Sequence, residues 1–330
     1  MPFPHERPRR LRRTAAMREL VAQTRLGVDD LVAPLFVREG IDAPAPIRSL
    51  PGVVQHTRDS LRREVTELAG LGVRAVILFG VPATKDPTGS GAFDPEGIVQ
   101  LAMADLRADL GDRVVLMADL CVDEYTSHGH CGIVDQRGEV DNDATLEVYA
   151  RAAVAQADAG ADVVAPSGMM DGQVGVIRAA LDAAGHADTA ILAYSAKYAS
   201  GLYGPFRDAV DVQIDGGGDR KGYQQDWRNA REALVEVAAD IAQGADMVMV
   251  KPAVAYLDVI AQVRAMVNVP LAAYHVSGEY SMLKAAAANG WIDHDTVALE
   301  HLHAIKRAGA DVILTYLTRW YAETAASRGA

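Results

Sequence analysis

Short apolar runs recur at 31–37, 75–79, 114–121, 162–166, 191–195, 247–250, 271–275 and 312–316. They are continuous rather than alternating, as parallel strands covered on both faces require. Between most of them the pattern turns helical. The stretch 59–71 opens on Asp59 and Ser60, either of which suits an N-cap. The stretch 95–110 places Pro95 near a first helical turn. Apolar residues follow 3.6-residue spacing over 144–159, 173–184, 229–243 and 255–266. Two more helices, around 281–288 and 295–307, fall between the last two strands.

Three of these units share one design. "AGADVVAPS" (159–167), "QGADMVMVKP" (243–252) and "AGADVILTY" (308–316) each end a helix on glycine, place an aspartate and begin a buried strand. Eight such strand–helix units with no break in composition predict a single (β/α)8 TIM barrel over 31–330, preceded by an arm over 1–30. The competing architecture is an open, doubly wound sheet. No Gly-x-Gly-x-x-Gly follows the first strand, so dinucleotide binding has little support.

Length and composition agree with this. A chain of 330 residues, half of them apolar, is large enough to bury such a core. The net charge of −12 argues against nucleic acid or an anionic membrane as a partner. The arm is the exception: residues 1–25 hold seven arginines against Glu6 and Glu19. That charge fits either a solvated tail or an arm docked on the acidic body of a neighbouring copy. No run reaches the length of a membrane span, and no secretory signal is present, so the cytoplasm is the expected location. Only Cys121 and Cys131 occur, which points to thiol or metal chemistry rather than a disulfide framework.

In a barrel of this kind chemistry sits at the carboxyl ends of the strands. Those ends carry Asp119, Cys121, Asp123, Ser167, Lys197, Lys251, Ser277 and Tyr316. A lysine closing the apolar run "MVMVK" is unusual, because lysine is rarely buried. An ordinary lysine, with a pKa of about 10.4, is almost wholly protonated at neutral pH. Burial and a neighbouring cation both favour the free amine, which then attacks a carbonyl to form a Schiff base. Two lysines on adjacent strands are expected to depress each other's pKa. Either lysine alone also fits a structural ion pair, and a single-lysine aldolase is the nearest competing enzyme.

Six stretches are more specific: "YTSHGHCG" (125–132), "APSGMMDG" (165–172), "YSAKYASGLYGPFRDA" (194–209), "GGDRKGYQ" (217–224), "MVKPA" (249–253) and "YHVSGEY" (274–280). Through them the chain closely resembles the 5-aminolevulinate dehydratase, or porphobilinogen synthase, family. The resemblance implies condensation of two 5-aminolevulinate molecules to porphobilinogen, with loss of two waters, in tetrapyrrole and haem biosynthesis. It implies that Lys251 binds the substrate whose acid chain becomes propionate and that Lys197 binds the other. Arg207, Arg220 and Gln224 lie in a segment, 198–228, that resembles an active-site lid, with Gly216, Gly217 and Gly218 as its flexible part. Ser277 and Tyr316 are implied for the second carboxylate. Asp119, Ser167, Tyr203, Phe206 and Tyr274 match residues that line the family's pocket. A homo-octamer with N-terminal arms around neighbouring barrels is implied, a hexamer being the alternative.

The run "DLCVDEYTSHGHC" departs from the family's patterns. Some members carry three cysteines here and bind zinc, and others carry carboxylates and depend on magnesium. This chain offers Cys121, Asp123 and Cys131, and two thiolates favour Zn2+. His128 and His130 are read as hydrogen-bonding groups. Glu232 matches a glutamate that holds an allosteric Mg2+ in some members. The aspartate and arginine that support that ion are replaced by Gly168 and Gln173.

Overall fold

A computed structural model describes residues 6–214 and 218–327. Phe3, Gly216 and Gly217 therefore lie outside the described residues. Eight strands form the barrel: β1 (Leu31–Arg38), β2 (Ala75–Val81), β3 (Val115–Leu120), β4 (Val163–Pro166), β5 (Ala190–Lys197), β6 (Met247–Lys251), β7 (Leu271–His275) and β8 (Val312–Thr315). Each pairs in parallel with the next, and β8 closes on β1 through Leu31↔Ile313 and Val32↔Leu314. The barrel expected from the pattern is present. A short hairpin, Ala45–Pro46 with Val54–His56, extends the end of β1.

The strands read as unbroken apolar runs because one face fills the barrel and the other meets helices. Ile77 and Phe79 of β2 belong to the inner core, whereas Val76 and Leu78 join the outer layer. Against that outer layer the helix Arg58–Gly70 lays Leu61, Val65 and Leu68, spaced three and four residues apart.

The repeated Gly-Ala-Asp has a mechanical reason. Gly160, Gly244 and Gly309 all take positive φ (100°, 106° and 123°), ending their helices in a conformation open to glycine. Two residues on, Asp162, Asp246 and Asp311 each accept the N–H that opens a neighbouring strand. Leu116, Ile191 and Leu271 donate at 2.8, 2.8 and 2.9 Å. The aspartates' own N–H groups return bonds to the same three residues' carbonyls at 2.9, 3.1 and 2.7 Å. Each motif thus staples a strand start at the end of the barrel away from the lysines.

Several boundaries differ from the sequence reading. The cap of Arg58–Gly70 is Thr57, whose hydroxyl accepts from Ser60 N at 3.0 Å; neither Asp59 nor Ser60 caps it. Pro95 lies ahead of its helix, which runs Ile98–Leu110 from a Gly97 cap. β3 stops at Leu120, before Cys121. The helix expected at 281–288 begins at Ser277. The helix that completes the eighth unit, Thr318–Ser327, had no range in the sequence pattern. In the arm, Pro8–Arg12 forms a 3-10 turn and Ala15–Leu20 a helix, and neither buries a residue. Among the described residues no helix is long and apolar enough to cross a membrane.

Asp246→Ala is expected to destabilise the fold by about 1 kcal/mol, the net worth of one hydrogen bond. Asp246→Asn, which keeps an acceptor for Ile191 N–H, should stay within about 0.5 kcal/mol. Urea unfolding of both variants measures the difference.

Candidate active site

β5 and β6 end on Lys197 and Lys251, which are partners in the strand register. Both side chains are buried. The Tyr194 ring lies between their amines, its centroid 5.6 Å from Lys197 Nζ and 5.0 Å from Lys251 Nζ. Lys251 Nζ also faces Tyr274 at 4.5 Å, Tyr203 at 5.2 Å and Phe206 at 5.3 Å. Lys197 Nζ donates to the Ser167 carbonyl.

The two amines differ. Burial, then the charge of Lys197, brings Lys251 down to about 7 despite Asp119 and Asp123. Burial also pushes Lys197 downward, but the surrounding Cys131, Cys121, Asp123 and Asp119 outweigh it and hold Lys197 above its ordinary value. The expected mutual depression is thus one-sided. Lys197 stays a cation and helps to keep Lys251 free. Asp119, whose Oδ2 accepts from Ser167 Oγ at 3.1 Å, is pushed up to about 6 by burial against the pull of both lysines.

The pocket around these groups is closed by the segment that follows β5. Tyr203, Phe206, Arg207 and Arg220 line it together with Asp119, Ser167 and the lysines. Its cavity volume is about 10 Å³, room for one water at most. Arg220 does not reach into it as a free cation. Its Nη2 pairs with Asp123 Oδ2 at 2.7 Å and donates to Gly129 O at 2.7 Å. The Nε atoms of Arg207 and Arg220 are buried without a protein partner, a cost that an incoming anion would remove.

Cys121, Asp123 and Cys131 converge although β3 ends before them. One ligand atom from each lies within 4.8 Å of the others, and all three residues are buried. Burial raises the Cys131 thiol, but a hydrogen bond from Cys121 and the charge of Arg220 bring it to about 7. Burial and that same bond hold Cys121 far above its usual range. A carboxylate has about four lone-pair positions, so the pair with Arg220 does not exhaust Asp123. Two soft sulfurs and one oxygen, all buried, fit a divalent cation of the zinc type. His128 and His130 are engaged elsewhere, with Pro87 O at 3.1 Å and Tyr223 Oη at 3.2 Å.

Other sequence candidates fall around this centre. Tyr274 Oη and Tyr316 Oη lie 3.2 Å apart at the inner ends of β7 and β8. Ser277 sits under the covering segment, accepting from Phe206 N at 3.0 Å and donating to Leu202 O at 3.3 Å. Gln224 and Glu232 line a separate polar cleft of about 560 Å³. Glu232 accepts from Asn229 Nδ2 at 3.1 Å. Gly168 and Gln173 bring no charge. The sequence reading missed Tyr194, three residues before Lys197, and Glu124, a buried carboxyl beside Asp123 that burial holds well above its usual range. The adjacency of Tyr194 to "SAK" was a usable signal. For Glu124 the adjacent acids Asp119 and Asp123 were visible in the run "DLCVDE", but its burial was not.

The sequence profile of the family described as delta-aminolevulinic acid dehydratase matches residues 5–324. This chain belongs to the delta-aminolevulinic acid dehydratase family. A family relative of that name from Streptomyces coelicolor is 59% identical, covering 98% of this chain and 97% of its own. One from Archaeoglobus fulgidus is 50% identical, covering 97% and 98%. The crystal structure of the Toxoplasma gondii family member, solved in complex with the reaction product porphobilinogen, superposes with a TM-score of 0.95 at 44% identity. That match covers 97% of this chain and 91% of the Toxoplasma chain.

Asp123→Asn is expected to cost about 3–5 kcal/mol in metal-free protein, because it strands the Arg220 charge in a buried site. Adding Arg220→Met should recover most of the loss. Denaturant midpoints of the single and double variants check this.

Proposed function

We propose that this family member condenses two molecules of 5-aminolevulinate to porphobilinogen, releasing two waters, through imines on Lys197 and Lys251. The observation that carries this reading is the pair of buried amines on adjacent strand ends, one held neutral and one held charged. With a pKa of about 7, roughly half of Lys251 is free amine at neutral pH. Its lone pair attacks the substrate ketone, and water leaves as the imine forms. This is the substrate whose acid chain becomes propionate. Asp119, poised near 6 and in the field of both lysines, is placed to take and return the protons these steps exchange. Lys197 becomes nucleophilic once the anionic charge beside it is reduced.

Each substrate carries a carboxylate, which calls for a cationic or hydroxyl partner in this acidic chain. Arg207, with its unpartnered Nε, is the first choice for one carboxylate; Arg220 would add its unpartnered Nε, and Gln224, which lines the neighbouring cleft, would join them only when the segment carrying it moves. Ser277 and Tyr316 serve the other. Tyr203, Phe206, Tyr274 and Ser167 wall the pocket and keep water from the imines. The closed pocket has no room for two substrates, so 198–228 acts as a lid that must open for entry and release.

Cys121, Asp123 and Cys131 would hold Zn2+, which supplies positive charge next to Lys197 and a Lewis-acid contact for the second substrate. An allosteric Mg2+ near Glu232 is the weaker proposal, because Gly168 and Gln173 withdraw the charged support that such an ion needs. Among the described residues of the arm, Pro8–Arg12 and Ala15–Leu20 bury none, whereas Leu26 packs on the barrel core; the exposed arginine-rich part supports docking on a neighbouring copy in a homo-octamer of the cytoplasm.

Pyrrole formation from 5-aminolevulinate, read with an aldehyde colour reagent, tests the reaction. Product is expected with zinc restored to metal-free protein and far less with magnesium; no product with either ion ends this reading. Borohydride should trap substrate on Lys251, with a rate that rises as pH climbs through about 7 and then levels, since the reactive form is the deprotonated one. Lys197→Met should abolish turnover and move that rise to higher pH, because Lys251 loses the cation that depresses it. Deleting residues 1–25 should shift sedimentation to smaller species.

A further inference from the structure

The helix Asn142–Asp158 presents one row of polar side chains to the loops at the end of β3. Thr145, Tyr149 and Gln156 stand four and seven residues apart, on a single face. Thr145 Oγ1 accepts from Ile133 N at 2.9 Å. Gln156 Nε2 donates to Asp119 O at 2.9 Å. Tyr149, completely buried, stands between them. Its hydroxyl donates to Cys131 O at 2.7 Å and lies 3.6 Å from Cys121 Sγ. One oxygen therefore touches the backbone of one thiol residue and the sulfur of the other.

This reach depends on what is absent at two neighbouring positions. A Cβ on Gly168 would overlap the Tyr149 hydroxyl and lie 2.5 Å from Cζ and 3.0 Å from Cε2. A Cβ on Gly132 would meet Thr145 Oγ1 at 2.5 Å and Val140 Cγ1 at 2.6 Å. Gly168 is the residue after Ser167, whose hydroxyl bonds Asp119 and whose carbonyl takes the Lys197 amine. The helix thus grips both ends of the thiol loop, and the site's other wall carries no side chain where the tyrosine enters.

We propose that Tyr149 is a positioning residue for the metal site, its hydroxyl donating to the Cys131 carbonyl while Cys121 is a thiol and to the Cys121 sulfur once that sulfur is an anionic ligand, and that Gly168 is required because it admits that hydroxyl. This rests on the reading of Cys121, Asp123 and Cys131 as metal ligands. A hydroxyl has one hydrogen. With Cys121 as a thiol, that hydrogen goes to the Cys131 carbonyl. With Cys121 as an anionic ligand, the sulfur becomes the stronger acceptor and draws it. Such a bond lowers the energy of the sulfur lone pairs and fixes the ligand's direction, as outer hydrogen bonds do in metal sites generally.

Cobalt(II) titration of the metal-free full chain tests this without reference to turnover. The wild type should develop an intense near-ultraviolet band from thiolate-to-cobalt charge transfer; its absence would overturn the metal-site reading itself. In Tyr149→Phe, which removes one oxygen and keeps the ring, the band should move to longer wavelength, because the sulfur loses its hydrogen bond. Zinc competition should show affinity reduced by about 10–100-fold. A wild-type band that Tyr149→Phe leaves unmoved would overturn the role of Tyr149 while leaving the metal site intact. Gly168→Ala should weaken cobalt binding in the wild type but have little effect in a Tyr149→Leu background, where the ring and hydroxyl are gone. Equal losses in the two backgrounds would refute the dependence of Gly168 on Tyr149.

Discussion

The ion pair between Arg220 and Asp123, 2.7 Å long and almost wholly shielded from water, joins the segment over the pocket to the loop that follows β3. Its chemical consequence is larger than its contribution to stability, which desolvation limits. By holding Asp123 ionised, against the burial that would protonate it, it keeps a fixed negative charge beside Lys197. That charge is among those that hold Lys197 a cation, and the cation in turn depresses Lys251. An arginine from a distant part of the chain therefore contributes to the asymmetry of the two amines, behind the larger effects of Cys131 and Cys121. Movement of the segment carrying Arg220 would alter both amines together, so access to the pocket and readiness of its nucleophiles are coupled by charge.

The barrel was legible because its signals are local. Continuous apolar runs, glycine-ended helices and the recurring Gly-Ala-Asp each report on a few adjacent residues, and β6 closes on Lys251 in plain view as "MVMVK". What escaped depended on comparison between near neighbours or on contacts across the fold. Thr57, Asp59 and Ser60 all suit a cap, and only the extended backbone of Thr57 (φ −71°, ψ 163°) selects it. The helix Thr318–Ser327 buries only Thr318 and Ala322, so it leaves no apolar stripe to read.

Within the site, residue identity was legible and protonation was not. Lys197 and Lys251 stand where the pattern put them, but the sign of the Lys197 shift depends on two thiols and two carboxyls that arrive from β3 and the loop after it. The apolar run 114–121 carried the third strand to Cys121. The strand stops at Leu120, and the three ligand atoms meet through a turn instead. Arg220, expected to face substrate, has its Nη2 engaged with Asp123 and Gly129 O while its Nε has no protein partner, a division of labour that residue type alone does not reveal.

The nearly filled pocket bears on how inhibitors of such a protein would be found. A compound fitted to the closed shape has space for little more than a single water. A larger molecule would need an opened conformer, and its measured affinity would scale with that conformer's share of the population. Screens run with the covering segment destabilised, rather than docking against the sealed cavity, are the productive route.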